Sequence, residues 1–156
     1  LRAISPLIWE KSMVGVDRLA GRRPFFGRLK RRLQRLVQTR IWGMDIDPTA
    51  FIETTALIDR TYPRGVHIGP DCYIGEEAVV LTHDFTRGLY LHTRIGARCH
   101  LGPRAIILPG LTIGEDSVVA PGALVTKDMP QNSFAMGNPA EIRPREAGLS
   151  DPGAPA

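Results

Sequence analysis

Aliphatic residues recur six apart in three blocks: Ile46, Ile52 and Ile58; Ile68, Ile74 and Val80; and Ile95, Leu101, Ile107, Ile113, Val119 and Val125. Glycine follows the aliphatic position at Gly69, Gly75, Gly96, Gly102 and Gly114. A small or modest side chain stands two residues before the next one at Ala50, Ala56, Cys72, Ala78, Cys99, Ala105, Ser117 and Ala123. A period of six matches neither the 3.6-residue helix nor an indefinitely extended strand alternation. It matches a triangular coil in which each hexapeptide supplies one short strand and one turn. The aliphatic side chain then points into the prism, and glycine relieves the backbone at the corner. Stacked coils bury one continuous apolar column, and each strand pairs in parallel with its equivalent one coil away. The pattern predicts an all-β chain, a parallel β-helix of about four three-sided coils over residues 44–145.

Two breaks interrupt the period. Ten residues separate Ile58 from Ile68, which places four extra residues within Arg60–His67 (RTYPRGVH). Fifteen separate Val80 from Ile95, so the stretch around Thr86–Arg94 must leave the prism as a loop. Insertions in a solenoid gather on one face and often mark its working surface. The longer loop begins directly after Leu81-Thr82-His83-Asp84.

The ends of the chain have a different character. Pro24 suits a first helical turn, and Leu29, Leu33, Leu36, Val37 and Ile41 then recur at helical spacing opposite Arg28, Arg31, Arg32 and Arg35. Residues 1–43 therefore read as a helical basic segment. Its expected role is to cap the open prism end with its apolar side, leaving the charged side in water. A second reading is contact with anionic lipid or a polyanionic glycan through residues 22–40. No nucleic-acid reading motif accompanies the charge. Residues 146–156 (EAGLSDPGAPA) are small and Pro/Gly-rich and are expected to be disordered.

The net charge of +4 conceals this division. Residues 1–40 carry eleven Lys/Arg against Glu10 and Asp17, a balance of +9, which leaves −5 for the remainder. No apolar run approaches the ~20 residues that span a bilayer, and no secretory signal is visible. Cys72 and Cys99 form neither a disulfide framework nor a zinc pattern, and are read as small hydrophobes of a reduced, cytoplasmic protein. The expected location is the cytoplasm, at the inner face of the membrane if the basic segment binds lipid.

The segment Ile95–Arg143 (IGARCHLGPRAIILPGLTIGEDSVVAPGALVTKDMPQNSFAMGNPAEIR) closely resembles the hexapeptide-repeat O-acetyltransferases, left-handed parallel β-helices that include the maltose and galactoside enzymes. Thr61–Gly88 (TYPRGVHIGPDCYIGEEAVVLTHDFTRG) looks most like the polysaccharide-biosynthesis branch, with its His-Asp pair before the loop. The resemblance covers residues 44–145. It implies a homotrimer with active sites between neighbouring prisms, acetyl-CoA as the acyl donor lying along the groove, and no metal.

Carried onto this chain, the resemblance makes His83 the catalytic base. An alcohol is a poor nucleophile at neutral pH, and imidazole can take its proton and return it to the leaving thiolate. Asp84 either orients the ring or belongs to the acceptor site, and as the immediate neighbour of His83 it can equally point away. His67 and His100 each precede an aliphatic position and should face outward, while His92 lies in the loop; surface histidines are the default reading for all three. The family often has Trp where this chain has His100. For the donor, the resemblance places Thr126 and Lys127 at the nucleotide end and Gly102, Pro103 and Pro121 beside the pantetheine arm. Glu141 follows Gly137-Asn138-Pro139-Ala140 where the family usually has a basic residue, which shifts the phosphate contact to Arg143, or less favourably Arg145. The acceptor is assigned from loop position and charge alone: Tyr62, Arg64 and Arg87 could hold a sugar or acidic glycan.

Three other readings compete. A γ-type carbonic anhydrase shares the fold, but His83, His92 and His100 lack its short His-x4-His pairing. A non-catalytic β-helix scaffold is opposed by the retained His83 and Val125-Thr126-Lys127-Asp128. An acyl-carrier protein as donor would suit the basic N-terminal segment electrostatically.

Overall fold

The structure, a computed structural model, describes residues 25–145, with side chains from Leu29 onward. The first 24 residues of the basic segment and the tail from Glu146 lie outside the described residues.

Each hexapeptide forms a strand of two or three residues, and the strands stack into three parallel faces of a left-handed β-helix. The first face holds Asp45–Ile46, Val66–Ile68, Thr93–Ile95 and Thr112–Ile113. The second holds Phe51–Ile52, Tyr73–Ile74, His100–Leu101 and Val118–Val119, and the third Leu57–Ile58, Val79–Val80, Ile106–Ile107 and Leu124–Val125. The register sets Ile46 beside Ile68, Ile68 beside Ile95 and Ile95 beside Ile113, so equivalent side chains stack along one column. All twelve repeat aliphatics are buried, and Cys72 and Cys99 are free thiols buried in the same core. Each large aliphatic so buried contributes about 1.5–3 kcal/mol, and this column is the principal apolar core.

The corner glycines have a different task from the one expected. The left-handed backbone at the corners falls two residues after them, at Asp71, Glu77, Arg98, Arg104 and Asp116, with φ between 54° and 59°, and also at Gly110 and Gly122. The glycines are required by the stacking of one corner on the next. A Cβ on Gly102 would lie 2.6 Å from the Pro121 nitrogen, and one on Gly114 would lie 2.3 Å from the Gln131 nitrogen.

The coil also continues beyond Val125. Met129 bridges to Ile113, and Ser133–Gly137 pairs in parallel with Val118–Val119 before turning back antiparallel as Ala140–Pro144. Only four residues separate Val125 from Met129, so the six-residue period does not reveal this partial fifth coil. The final antiparallel strand covers what would otherwise be an open edge of the second face.

At the other end, Met44 joins the core and Trp42 packs against it. The helix α1 (Phe25–Leu36), followed by one wider turn over Val37–Ile41, lies against the first coil in the opposite orientation to that expected. Arg35 donates to the carbonyls of Asp47, Pro48 and Ala50, and Arg31 stands over the Phe51 ring at 4.8 Å. Leu29, Leu33, Leu36 and Ile41 are exposed. The corner at Asp47–Ala50 presents outward-facing carbonyl oxygens, which arginine can bond and leucine cannot.

Candidate active site

Both insertions open on the edge where the third face turns into the first. Asp59, the residue after Ile58, begins the first of these corners, and its amide bonds the Val80 carbonyl of the next coil at 3.0 Å. The Asp59 side chain is 2% exposed and accepts four hydrogen bonds. Oδ1 takes the Thr61 amide at 2.8 Å; Oδ2 takes the Thr82 amide at 2.8 Å, the His83 amide at 3.0 Å and His83 Nδ1 at 2.5 Å. Burial pushes this carboxyl up, but the Thr82 amide, the His83 ring and the Thr61 amide outweigh it and hold the pKa down at about 2. Asp59 is therefore an anion at neutral pH. With Nδ1–H donated to it, the His83 imidazole keeps Nε2 as its accepting nitrogen.

Two threonines brace the backbone behind this pair, Thr82 tying the longer insertion to the shorter and Thr93 closing the base of the longer one. Thr82 Oγ1 donates to the Tyr62 carbonyl at 2.7 Å, and Thr93 Oγ1 donates to the Leu81 carbonyl at 2.5 Å. Both threonines are fully buried. The expected loop is a small antiparallel hairpin, His83–Asp84 against Leu89–Tyr90, so His83 sits at its base on fixed backbone.

Asp84 takes the reading that points away from the ring. Its Oδ2 pairs with Arg87 Nε at 2.6 Å and its Oδ1 accepts the Arg87 amide, so it shapes the hairpin turn. The orienting carboxylate is Asp59 instead. The clue to it lay in coil spacing: one coil and its four-residue insertion separate Asp59 from Leu81, two residues before His83.

The remaining histidines go to separate neighbourhoods. His67 Nδ1 meets Asp45 at 2.9 Å and its Nε2 meets His92 Nδ1 at 2.8 Å, while His92 Nε2 meets the Tyr62 hydroxyl at 3.3 Å. Tyr62 also packs edge-on against Tyr90 of the hairpin. Of the other acceptor candidates, Arg64 is exposed near Gly43, and Arg87 is exposed beyond its bond to Asp84. His100 points outward from the prism, as expected, but is 7% exposed rather than on the surface. It stacks on Tyr73 at 4.6 Å, and burial, reinforced by the Arg145 charge, pushes its pKa down to about 4. Among the described residues, no three or more His, Cys, Asp or Glu converge to hold a metal ion.

Thr126 and Lys127 are exposed on the His83 edge two coils further along, about 10 Å down the axis at the usual inter-strand spacing. Gly102, Pro103 and Pro121 lie on a different edge, between the second and third faces. Gly102 is buried, with its amide on Val119 and its carbonyl on Ala105, and the Pro103 carbonyl accepts the Gly122 amide. Pro103 is thus left with mainly its ring to offer a ligand. Arg143 pairs with Glu141 at 2.6 Å on the terminal hairpin, so the unexpected acidic residue neutralises the expected cation.

A family model described as bacterial transferase hexapeptide (six repeats) matches residues 92–127. A relative named "Putative acetyltransferase SAR0816", from Staphylococcus aureus (strain MRSA252), is 36% identical over 113 residues, covering 71% of this chain and 70% of the relative. YvoF of Bacillus subtilis (strain 168), described in the same words, is 35% identical over 86 residues, and serine acetyltransferase 2 of Arabidopsis thaliana is 37% identical over 108. These matches cover 54% and 65% of this chain, which spans only 50% and 32% of the length of those two relatives. The solved structure of a maltose O-acetyltransferase from Clostridium difficile 630 shares the fold, with a TM-score of 0.53 and 23% identity over 88% of this chain and 86% of that one. A relative matched over more than two thirds of its length, on a coil of this register, places the chain in the hexapeptide-repeat acetyltransferase family.

Proposed function

We propose that the chain transfers an acetyl group from acetyl-CoA to a hydroxyl of a sugar or polysaccharide precursor, with His83 as the general base. The observation that carries this reading is the Asp59–His83 pair, held by four hydrogen bonds at the base of the inserted hairpin. Acetyl-CoA supplies a thioester carbonyl for attack by the acceptor. His83 Nε2 takes the proton from the hydroxyl as it attacks, and returns it to the departing sulfur. Asp59 holds the ring in the tautomer that leaves Nε2 free and stabilises the imidazolium while the proton resides there. No covalent acyl-enzyme is needed, and no metal enters the reaction.

Lys127 and Thr126 suit the phosphate end of the donor, since both are exposed on the His83 edge. Pro103 and Pro121 stand on another edge of the same prism. An extended donor that met both sets would have to lie between two copies, which supports a homotrimer with shared sites. Arg143 remains a weaker phosphate candidate because Glu141 already pairs with it. Tyr62, Arg64 and Arg87 are the acceptor-side candidates, with Tyr62 the best anchored. Action in the cytoplasm follows from where acetyl-CoA is available.

The test is thiol release from acetyl-CoA across a panel of sugars, uronic and sialic acids, and serine. Saturable release with a sugar, abolished in His83→Ala, is the expected result. Release with serine alone would overturn the acceptor class, and acetyl-CoA binding without release on any acceptor would overturn the activity. Light scattering tests the trimer: a monomeric mass with full activity would remove it.

A further inference from the structure

We propose that α1 lies in the surface of an anionic lipid bilayer and holds the prism against the membrane. The helix is docked with its polar side inward. Arg31, Arg35 and Gln38 face the first coil, where Arg35 satisfies corner carbonyls and Gln38 is buried. The opposite side carries Leu29 at 56% exposure, Leu33 at 63% and Leu36 at 56%, continued by Ile41 at 70%. Positions 29, 33 and 36 share one stripe because residues three and four apart are helical neighbours. Lys30 and Arg32, both exposed, fall on the two flanks of that stripe. An apolar stripe bordered by cations is the pattern of a helix lying in the plane of a bilayer interface, with its leucines among the acyl chains and its cations at the headgroups.

Charge selects this occupant over a second copy of the chain. Residues 22–40 contain eight Lys/Arg and no Asp or Glu. Two such stripes packed together would bring Lys30 and Arg32 of one copy against the same cations of the other, with no carboxylate in the segment to offset them. An anionic bilayer offers the apolar phase and the opposite charge together. A soluble polyanionic glycan would answer the charge but leave the leucines in water. Among the described residues no helix is long and apolar enough to cross a membrane.

The test is cosedimentation of the full chain with vesicles of phosphatidylcholine alone and of phosphatidylcholine containing phosphatidylglycerol. The expected result is binding to the anionic vesicles only, weakened by salt. Partition should fall about fivefold for each of Lys30→Ala and Arg32→Ala, and at least about tenfold for Leu33→Glu. Acetyl transfer to a soluble acceptor should be unchanged in all three, which also shows that they fold. Failure to bind anionic vesicles, or equal binding to neutral ones, overturns the proposal. So does a fall in oligomeric mass in Leu33→Glu without vesicle binding, which would assign the stripe to a second copy. Binding of a soluble polyanion that survives Leu33→Glu, again without vesicle binding, would assign the segment to a glycan.

Discussion

His83 Nδ1 lies 2.5 Å from Asp59 Oδ2, across one coil of the prism and 24 positions apart in the chain. The same carboxylate oxygen also holds the amides of Thr82 and His83, so the backbone carrying the imidazole and the imidazole itself are set by one anion. This relationship gives the site its most direct test.

Asp59→Asn should lower kcat by about 10²–10⁴-fold, the range expected when a general base is lost. An amide that puts its oxygen where Oδ2 stands turns its NH2 against the Thr61 amide, and in either orientation the negative charge that stabilises the imidazolium is lost. His83→Ala should cost a similar factor with the fold intact. The double variant should be little worse than His83→Ala alone, since the two side chains act as a unit. Steady-state kinetics on the four proteins measures this, and fully additive losses would separate Asp59 from the base.

Asp84→Asn should behave differently despite standing next to His83. Its carboxylate is bound to Arg87, so the expected change is within about threefold in kcat, with any larger effect confined to the acceptor KM. A loss matching that of Asp59→Asn would return Asp84 to the catalytic group.

Stability should fall with acid in two steps. His100 is depressed from its ordinary 6.5 to about 4 in the fold, so its contribution is complete above pH ~6.5 and is lost as pH falls towards 4. The full difference corresponds to about 3 kcal/mol. Asp59, depressed from 3.8 to about 2, contributes above pH ~4 and loses about 2 kcal/mol as pH falls towards 2. Urea midpoints against pH should show both slopes, and His100→Phe, which keeps a ring against Tyr73, should lose only the upper one.

Gly102→Ala should destabilise the prism by roughly 1–3 kcal/mol, because the new methyl must displace the Pro121 corner. Asp71→Gly, at a left-handed position with φ of 54°, should change stability by less than about 1 kcal/mol. Thermal unfolding of the two variants distinguishes stacking from backbone strain as the reason for the corner glycines. Equal losses would favour strain.

The spacing of aliphatic residues was sufficient to place twelve strands, their three faces and both insertions, since a period of six has one regular solution when each side chain must reach a common core. His83 was legible for the same reason: it stands where the period breaks. Asp59 was not, because nothing in a linear pattern says which corner residue one coil away turns its side chain beneath the loop. Asp84 stood nearer in sequence and lost the role to a residue nearer in space. The partial fifth coil was hidden by a step of four between Val125 and Met129, and the burial of His100 by its stacking on Tyr73 of the neighbouring coil. The orientation of α1 was likewise invisible, as amphipathic spacing identifies two sides of a helix without saying which meets the protein. Local spacing thus determined the prism, because its repeat is written in every turn. Tertiary structure decided the partners of His83 and the outward face of α1, because both depend on carboxylates and carbonyls brought together from separate coils.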